Sequence, residues 1–230
     1  MTTTRDSPDS ADVVRLVVRV WLPDRPGALG LVASRIGAIG ADIVGVDVLE
    51  RSEHVAVDEF AVTLGSEDLV KLLVREIEEV DGASVEQWER VERFPDPLDA
   101  LETVEHVCAA DDVKDLAHRL TERVRVEFNA DWAAVLRESE LVATAGDGVP
   151  DPSVLHAFAS GTSASPAVAA GDSGPDDLAV APLDKRASFL LVGRVGHPFR
   201  RRERRQLLAL ARVAERLSTI LRLGPRASSA

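Results

Sequence analysis

The chain has a single cysteine, Cys108, among 230 residues. One thiol closes no disulfide within the chain and offers no cysteine cluster to a metal. Long apolar runs are also missing, and none approaches the roughly 20 residues that a membrane-crossing helix needs. The opening Met1-Thr-Thr-Thr-Arg-Asp-Ser-Pro-Asp-Ser lacks the apolar core of a signal peptide and reads as a loose tail. These shortages lead to the expectation of a cytoplasmic protein with no membrane partner. Histidine is sparse, and His54, His106, His118 and His197 are scattered without metal-ligand spacing, so no metal site is expected.

Catalytic patterns are absent too. No serine lies in a nucleophile elbow. Gly27 and Gly30 are too close together for a phosphate loop, and no Lys-Ser/Thr pair follows them. The tandem acids Asp111-Asp112 and Asp176-Asp177 read as solvated surface in a chain this acidic. No set of nucleophile, base and oxyanion donors can be assembled, so neither enzymatic activity nor a cofactor is expected.

Basic charge is in deficit, with 27 Lys and Arg against 39 Asp and Glu and a net charge of −12. Nucleic-acid affinity rests on neutralising phosphates, so this balance argues against a nucleic-acid partner. The arginines that exist are concentrated, nine of them between Phe199 and Arg226. No aromatic residue interleaves with them to stack bases. The run Arg200-Arg201-Arg202-Glu203-Arg204-Arg205 reads as a solvated helix start or an ion-pair surface. Cations there oppose the helix dipole, which implies acidic neighbours.

What is present is enough for two ordinary domains, with 45% apolar and 29% charged residues. Leu16, Val18, Val20 and Leu22 alternate with Arg15, Val17, Arg19 and Trp21 as on a strand. Leu29, Val32, Ala33, Ile36 and Ile39 then recur at helical spacing. Between them, Asp24-Arg25-Pro26-Gly27 makes a tight turn that leaves the N–H groups of Ala28, Leu29 and Gly30 free at a helix N-terminus. Such a terminus favours an anion, and suits the carboxylate of a free amino acid. Further on come strands over 42–49 and 55–64, a helix through Leu69, Leu72, Leu73 and Ile77, and a strand over 83–88. Arg51 to Glu53 reads as the turn between the middle strands.

That order, strand-helix-strand-strand-helix-strand, is the split-βαβ, ferredoxin-like arrangement of an α+β fold. Together with the Asp-Arg-Pro-Gly-x-Leu turn and Gly40-Ala41-Asp42-Ile43, it resembles the ACT domain, a regulatory amino-acid-binding module. The resemblance implies that Leu22, Asp24, Gly27, Ala28, Leu29, Gly30, Asp42 and Ile43 form the ligand site. The family often places amides at the positions of Asp24 and Asp42. Two aspartates there suit an ammonium group, a basic side chain or a metal ion between them, since paired carboxylates repel. Asp24 equally suits turn chemistry or a helix cap. Leu22 departs from members with a histidine at that position, which points to an apolar ligand side chain. ACT domains commonly bind ligands across a dimer interface, so a homodimer is expected. The face bearing Arg15, Val17, Arg19 and Trp21 is a mixed surface suited to that contact.

Two prolines in Arg93-Phe94-Pro95-Asp96-Pro97 interrupt the pattern. Beyond them the spacing predicts a helix over 112–128, a hairpin of 132–137 with 141–145, a short helix over 153–159, strands over 178–183 and 188–195, and a long helix over 202–223. Ser160 to Asp177 reads as a flexible loop. Val180-Ala-Pro-Leu183, a charged turn at Asp184-Lys185-Arg186, Leu190-Leu-Val-Gly193 and His197-Pro198-Phe199 before a Leu-rich helix resemble a GAF domain, a small-molecule-sensing fold of the PAS-like α/β kind. Its cyclic-nucleotide signature is missing. Cys108, followed by Ala109 and placed before the domain's first helix, does not match a bilin attachment site. His156 reads as structural or solvent-facing. Leu207, Leu210, Ala211, Ala214, Leu217 and Leu221 approach a heptad stripe that either packs on its own sheet or pairs with a second copy.

The expected organisation is a disordered tail at 1–12, an ACT domain at 13–92, a linker at 93–100, a GAF-like domain at 101–224 and a tail at 225–230. The expected function is a regulatory sensor of a free amino acid that signals through its GAF-like domain to a separate, unidentified effector protein. The alternative is a dimeric scaffold that has lost small-molecule binding.

Overall fold

The computed structural model describes residues 13–184 and 188–223. Both expected tails and the turn residues Lys185 and Arg186 lie outside the described residues. The chain is a mixed α+β protein that divides into two units, Met1–Pro95 and Asp96–Ala230.

The first unit runs β1 (Val14–Pro23), α1 (Ala28–Ala38), β2 (Asp42–Arg51), β3 (Val55–Leu64), α2 (Val70–Glu78) and β4 (Ser84–Arg90). The strands form one antiparallel four-stranded sheet in the order β2-β3-β1-β4. Strand residues alternate between faces, so Leu16, Val18, Val20 and Leu22 of β1 join Phe60, Val62 and Leu64 of β3 on one side. Val32 and Ile36 of α1 and Leu73 and Ile77 of α2 close that side into a core. The other face of β1 is less open than its composition suggests. Arg15 is exposed, but Val17 and Arg19 are buried. Arg19 Nε donates to Glu59 across the β1–β3 pairing at 2.7 Å, and the Trp21 indole N–H donates to Glu86 of β4 at 3.1 Å.

The second unit runs α3 (Asp99–Cys108), α4 (Val113–Glu127), β5 (Trp132–Arg137), β6 (Glu140–Gly146), α5 (Pro152–Ser163), α6 (Pro166–Ala169), β7 (Leu178–Asp184), β8 (Ser188–Gly193) and α7 (Arg201–Leu223). Its sheet is also four-stranded and antiparallel, in the order β6-β5-β8-β7. Ala133, Val135, Leu190 and Val192 point to a core shared with α4 and α7. Trp132, Ala134, Leu136, Phe189 and Leu191 point the other way, against Leu155 and Ala159 of α5. Burial on both faces is why β5 and β8 read as continuous apolar runs.

Three expectations about this unit need correction. Cys108 does not precede the first helix; it is the exposed last residue of α3. That helix begins inside the span read as a linker. Only Thr103 and Val107 of α3 are buried, while Leu98 and Leu101 around its start are exposed, so its periodicity is faint. The stretch 160–177 is not one long loop, because α5 extends through Ser163 and α6 follows. The rest of it is fastened to α7: Asp172 Oδ1 accepts from Arg201 and Arg205, and Arg204 Nη2 donates to the carbonyls of Gly174 and Pro175. The arginine run therefore has the acidic neighbours that its position at a helix start requires. The Leu207 to Leu221 stripe packs on its own sheet, with Leu207, Leu210, Ala211 and Ala214 in the core and Leu217 and Leu221 against it.

Candidate ligand site at the β1–α1 loop

β1 ends at Pro23, and the chain turns at once. Asp24 N–H donates to the His54 carbonyl at 2.9 Å, and Arg25 N–H to the Pro23 carbonyl at 2.8 Å. Gly27 precedes α1 with φ +88°, a left-handed conformation that disfavours any residue with a Cβ. Intrahelical bonding starts with Leu31 N–H on the Gly27 carbonyl at 3.0 Å. Ala28 N–H is taken by the Arg25 carbonyl at 3.3 Å, so it is not a free donor as the turn chemistry suggested. Leu29 and Gly30 are exposed, and their N–H groups find no backbone acceptor among the described residues. No side chain caps this terminus, and Asp24 is not its cap.

Asp24 is held instead by Arg51, the last residue of β2 rather than part of a turn. Arg51 Nη2 donates to Oδ1 at 2.6 Å and Nε to Oδ2 at 3.3 Å, a two-pronged pairing. This bond raises the Arg51 pKa above its ordinary value. The register explains the meeting, since Arg51 and Leu22 both stand opposite Ala56, one on each side of β3.

Two residues along β3, on the same helix-facing side, lies Asp58. It sits between Val20 and Val48 and is 4% exposed. Its Oδ1 is fully enclosed with no hydrogen-bond partner. Burial raises its pKa above the ordinary carboxylate value; the Arg51 charge opposes the rise and the Asp24 charge adds to it.

Leu22 stands beside the turn near the end of β1 but is buried in the core, 2% exposed. Asp42 is exposed at the start of β2, opposite Thr63, and Ile43 is half-buried opposite Val62. At about 3.3 Å per residue, Asp42 stands roughly 30 Å along β2 from Arg51 and the loop. Within one chain Asp24 and Asp42 are therefore not brought together. Arg51 and Asp58 were the residues that sequence reasoning missed. Alternation carried a signal for the second: Ala56, Phe60, Val62 and Leu64 mark the apolar face, and Asp58 falls in step with them.

An enclosed carboxylate without a partner lowers stability. Replacing Asp58 with Asn is expected to stabilise the unliganded protein at pH 7 by on the order of 1 kcal/mol. The pH dependence follows from the raised pKa. The folded state holds the Asp58 proton more tightly than the unfolded chain, so stability is gained as pH falls through the folded value and lost as it rises. The Asn variant lacks this contribution, so its advantage should shrink in acid. Thermal melts of both proteins at neutral pH and at successively more acidic pH check the sign.

The second unit offers less. A cavity of about 40 Å³ lies between α4, α7 and the sheet, lined by Leu116, Leu120, Val135, Leu183, Ala214 and Ser188 among others. That is room for a few waters, given about 10–15 Å³ for each. His156 on α5 is half-buried, and Ser160 Oγ lies 3.4 Å from its Nε2. Among the described residues no group of three or more His, Cys, Asp or Glu could hold a metal ion, and no helix is long and apolar enough to cross a membrane.

No family model and no curated protein matches the chain. Among solved structures it is similar to an unknown protein from Galdieria sulphuraria, with 20% identity, a TM-score of 0.32 and coverage of 43% of this chain. The match spans 64% of that protein's length, less than two thirds. It is also weakly similar to the ACT domain from the GTP pyrophosphokinase of Chlorobium tepidum, with 13% identity, a TM-score of 0.29, and coverage of 36% of this chain and 92% of that one.

Proposed function

We propose that the first unit is an ACT-type regulatory module that binds a free amino acid at the β1–α1 loop, and that the second, GAF-like unit relays occupancy to a separate effector protein. The protein is then a non-catalytic cytoplasmic sensor that acts as a homodimer. One observation carries this reading: one end of a single sheet holds both kinds of charge that an amino acid needs. The exposed N–H groups of Leu29 and Gly30 suit a carboxylate. Asp24 and Asp58 suit an ammonium group, with Arg51 held as the partner of Asp24. Regulation requires that the ligand prefer one state of the protein over another.

The scaffold reading also has a specific observation in its favour. Trp132, Leu136, Leu155 and Leu191 fill the α5 side of the second sheet, so that unit would act through its surface rather than through a bound molecule.

A thermal-shift screen of the twenty amino acids separates the two readings. A ligand at a hundred times its dissociation constant stabilises the native state by about 2.7 kcal/mol. The expected result is one amino acid, or one chemical group of them, raising the melting temperature of the wild type. The same additions should fail on Asp24→Ala, which removes a charge, and on Gly27→Val, which cannot keep φ +88° without strain. Silence across all twenty with a folded dimer would favour the scaffold.

A further inference from the structure

We infer that Asp58 is the seat of the ligand's ammonium group, and therefore that this site selects molecules carrying a positive charge to the floor of the β1–α1 loop. The inference rests on the amino-acid reading above and deepens it: of the two carboxylates near the loop it names the one that takes the ammonium group, and the selection rule that follows.

Three observations converge. The first is the position of Asp58. Its neighbours across the sheet, Val20 and Val48, are both valines, and its own strand continues on that face as Phe60 and Val62. A residue kept there for the fold alone would be apolar, because an enclosed carboxylate without partners costs stability. The second is the pairing of its surroundings. Arg51 commits Nε and Nη2 to Asp24, while Asp58 Oδ1 has no hydrogen-bond partner. Asp24, Arg51 and Asp58 together carry one uncompensated negative charge, and one cation completes the set. The third is its place along β3. Asp58 lies two residues from Ala56, which stands opposite both Leu22 and Arg51 at the loop end of the sheet.

The chemistry of the missing cation follows. Calcium and magnesium take six or more oxygen ligands, and this cluster supplies two carboxylates, one of them already paired with an arginine. A primary ammonium brings one positive charge and three N–H donors, and its charge-assisted bond to a carboxylate is among the stronger hydrogen bonds. The carboxylate of the same molecule then faces the N–H groups of the exposed Leu29 and Gly30. Deaminated acids carry nothing for Asp58 and add a second negative charge, so the site rejects them.

The test uses the full chain at neutral pH, with melting temperature and calorimetric titration as readouts. The probes are the twenty amino acids, the amines isopentylamine and cadaverine, and the deaminated acid 4-methylpentanoate, each against wild type and Asp58→Asn. The expected result is an amino acid that stabilises the wild type and binds Asp58→Asn at least tenfold more weakly, while the unliganded variant melts at or above the wild-type temperature. That combination separates ligand binding from a structural role, which would lower the variant's own melting point. Equal affinity for both proteins overturns the inference and leaves the amino-acid reading standing. An amine that protects the wild type but not the variant, with every amino acid silent, supports the inference and overturns that reading. Silence from all amino acids and amines, or stabilisation by 4-methylpentanoate alone, overturns both. If Asp58→Asn does not fold, the Asp58 carboxyl carbon of the labelled wild type reads the same contact by NMR: a shift on probe addition supports the assignment, and an unmoved signal on saturating probe overturns it.

Discussion

Replacing Glu203 with Ala should destabilise the second unit by about 3–5 kcal/mol, the usual cost of stranding one member of a buried ion pair. Arg194 leaves β8 and is almost fully enclosed, its side chain 3% exposed. Its guanidinium donates to Phe128, His197 and Pro198 carbonyls at 2.6, 2.7 and 3.0 Å, and to both Glu203 oxygens at 2.8 and 3.0 Å. It also lies 4.0 Å over the Phe199 ring. Glu203 answers one further need. It accepts from the Arg200 N–H at 2.8 Å, three residues back, as the return half of a capping box at the start of α7. The alanine variant thus loses a helix cap and leaves a cation in a site that water does not reach. At roughly 3 °C per kcal/mol for a unit of this size, the melting temperature should fall by about 10–15 °C. Glu203→Leu combined with Arg194→Met removes both charges and should lie closer to wild type than Glu203→Ala does, since desolvation is relieved along with attraction. A double-mutant cycle in guanidinium chloride measures the coupling. Near-additive losses would mean that the pair is not a unit.

The same geometry shows how far the sequence could be read. Nine arginines after Phe199 were visible, and so was their conflict with the helix dipole. Which acids answer them was not visible, because Asp172 lies some thirty residues upstream and meets Arg201 and Arg205 only after the chain has passed through β7 and β8. The first unit was more legible. Most of its strands and helices carry a readable period of two or of 3.6, and Gly27 and Gly40, both at positive φ, mark the ends of α1. The site was only half legible for a related reason. Gly27, Leu29 and Gly30 are local in sequence to the turn they build. Arg51 and Asp58 come from the β2–β3 hairpin, and their place beside Asp24 depends on β3 lying between β2 and β1. Alternation alone marks Asp58 as facing the helices, but it does not say which loop it faces. Within one chain Asp42 stands apart from this cluster for the converse reason. It lies close in sequence to α1, yet it starts β2 at the far end of the sheet.

Gly193→Val should be as severe as the loss of Glu203, at about 3 kcal/mol or more, because a side chain has nowhere to go. Gly193 is fully enclosed on β8 and stands opposite Trp132 in the pairing with β5. A Cβ built on it would lie 2.3 Å from Cζ2 and 2.4 Å from Cε2 of the Trp132 indole. The ring is rigid and is packed with Leu136, Leu155 and Leu191, so it cannot yield a few tenths of an ångström as a lysine tip would. Trp132→Ala should itself cost about 3–5 kcal/mol through the void it leaves. The double variant should lose clearly less than the sum of the two, since the ring that blocks the valine is then gone. Melting curves of the three variants decide this, and strict additivity would place the Gly193 clash elsewhere. The tryptophan variant also probes function. Its void is apolar and indole-sized, so added indole should recover part of the lost stability. Recovery would show that the α5 side of this sheet can hold a small molecule once its tryptophan is removed.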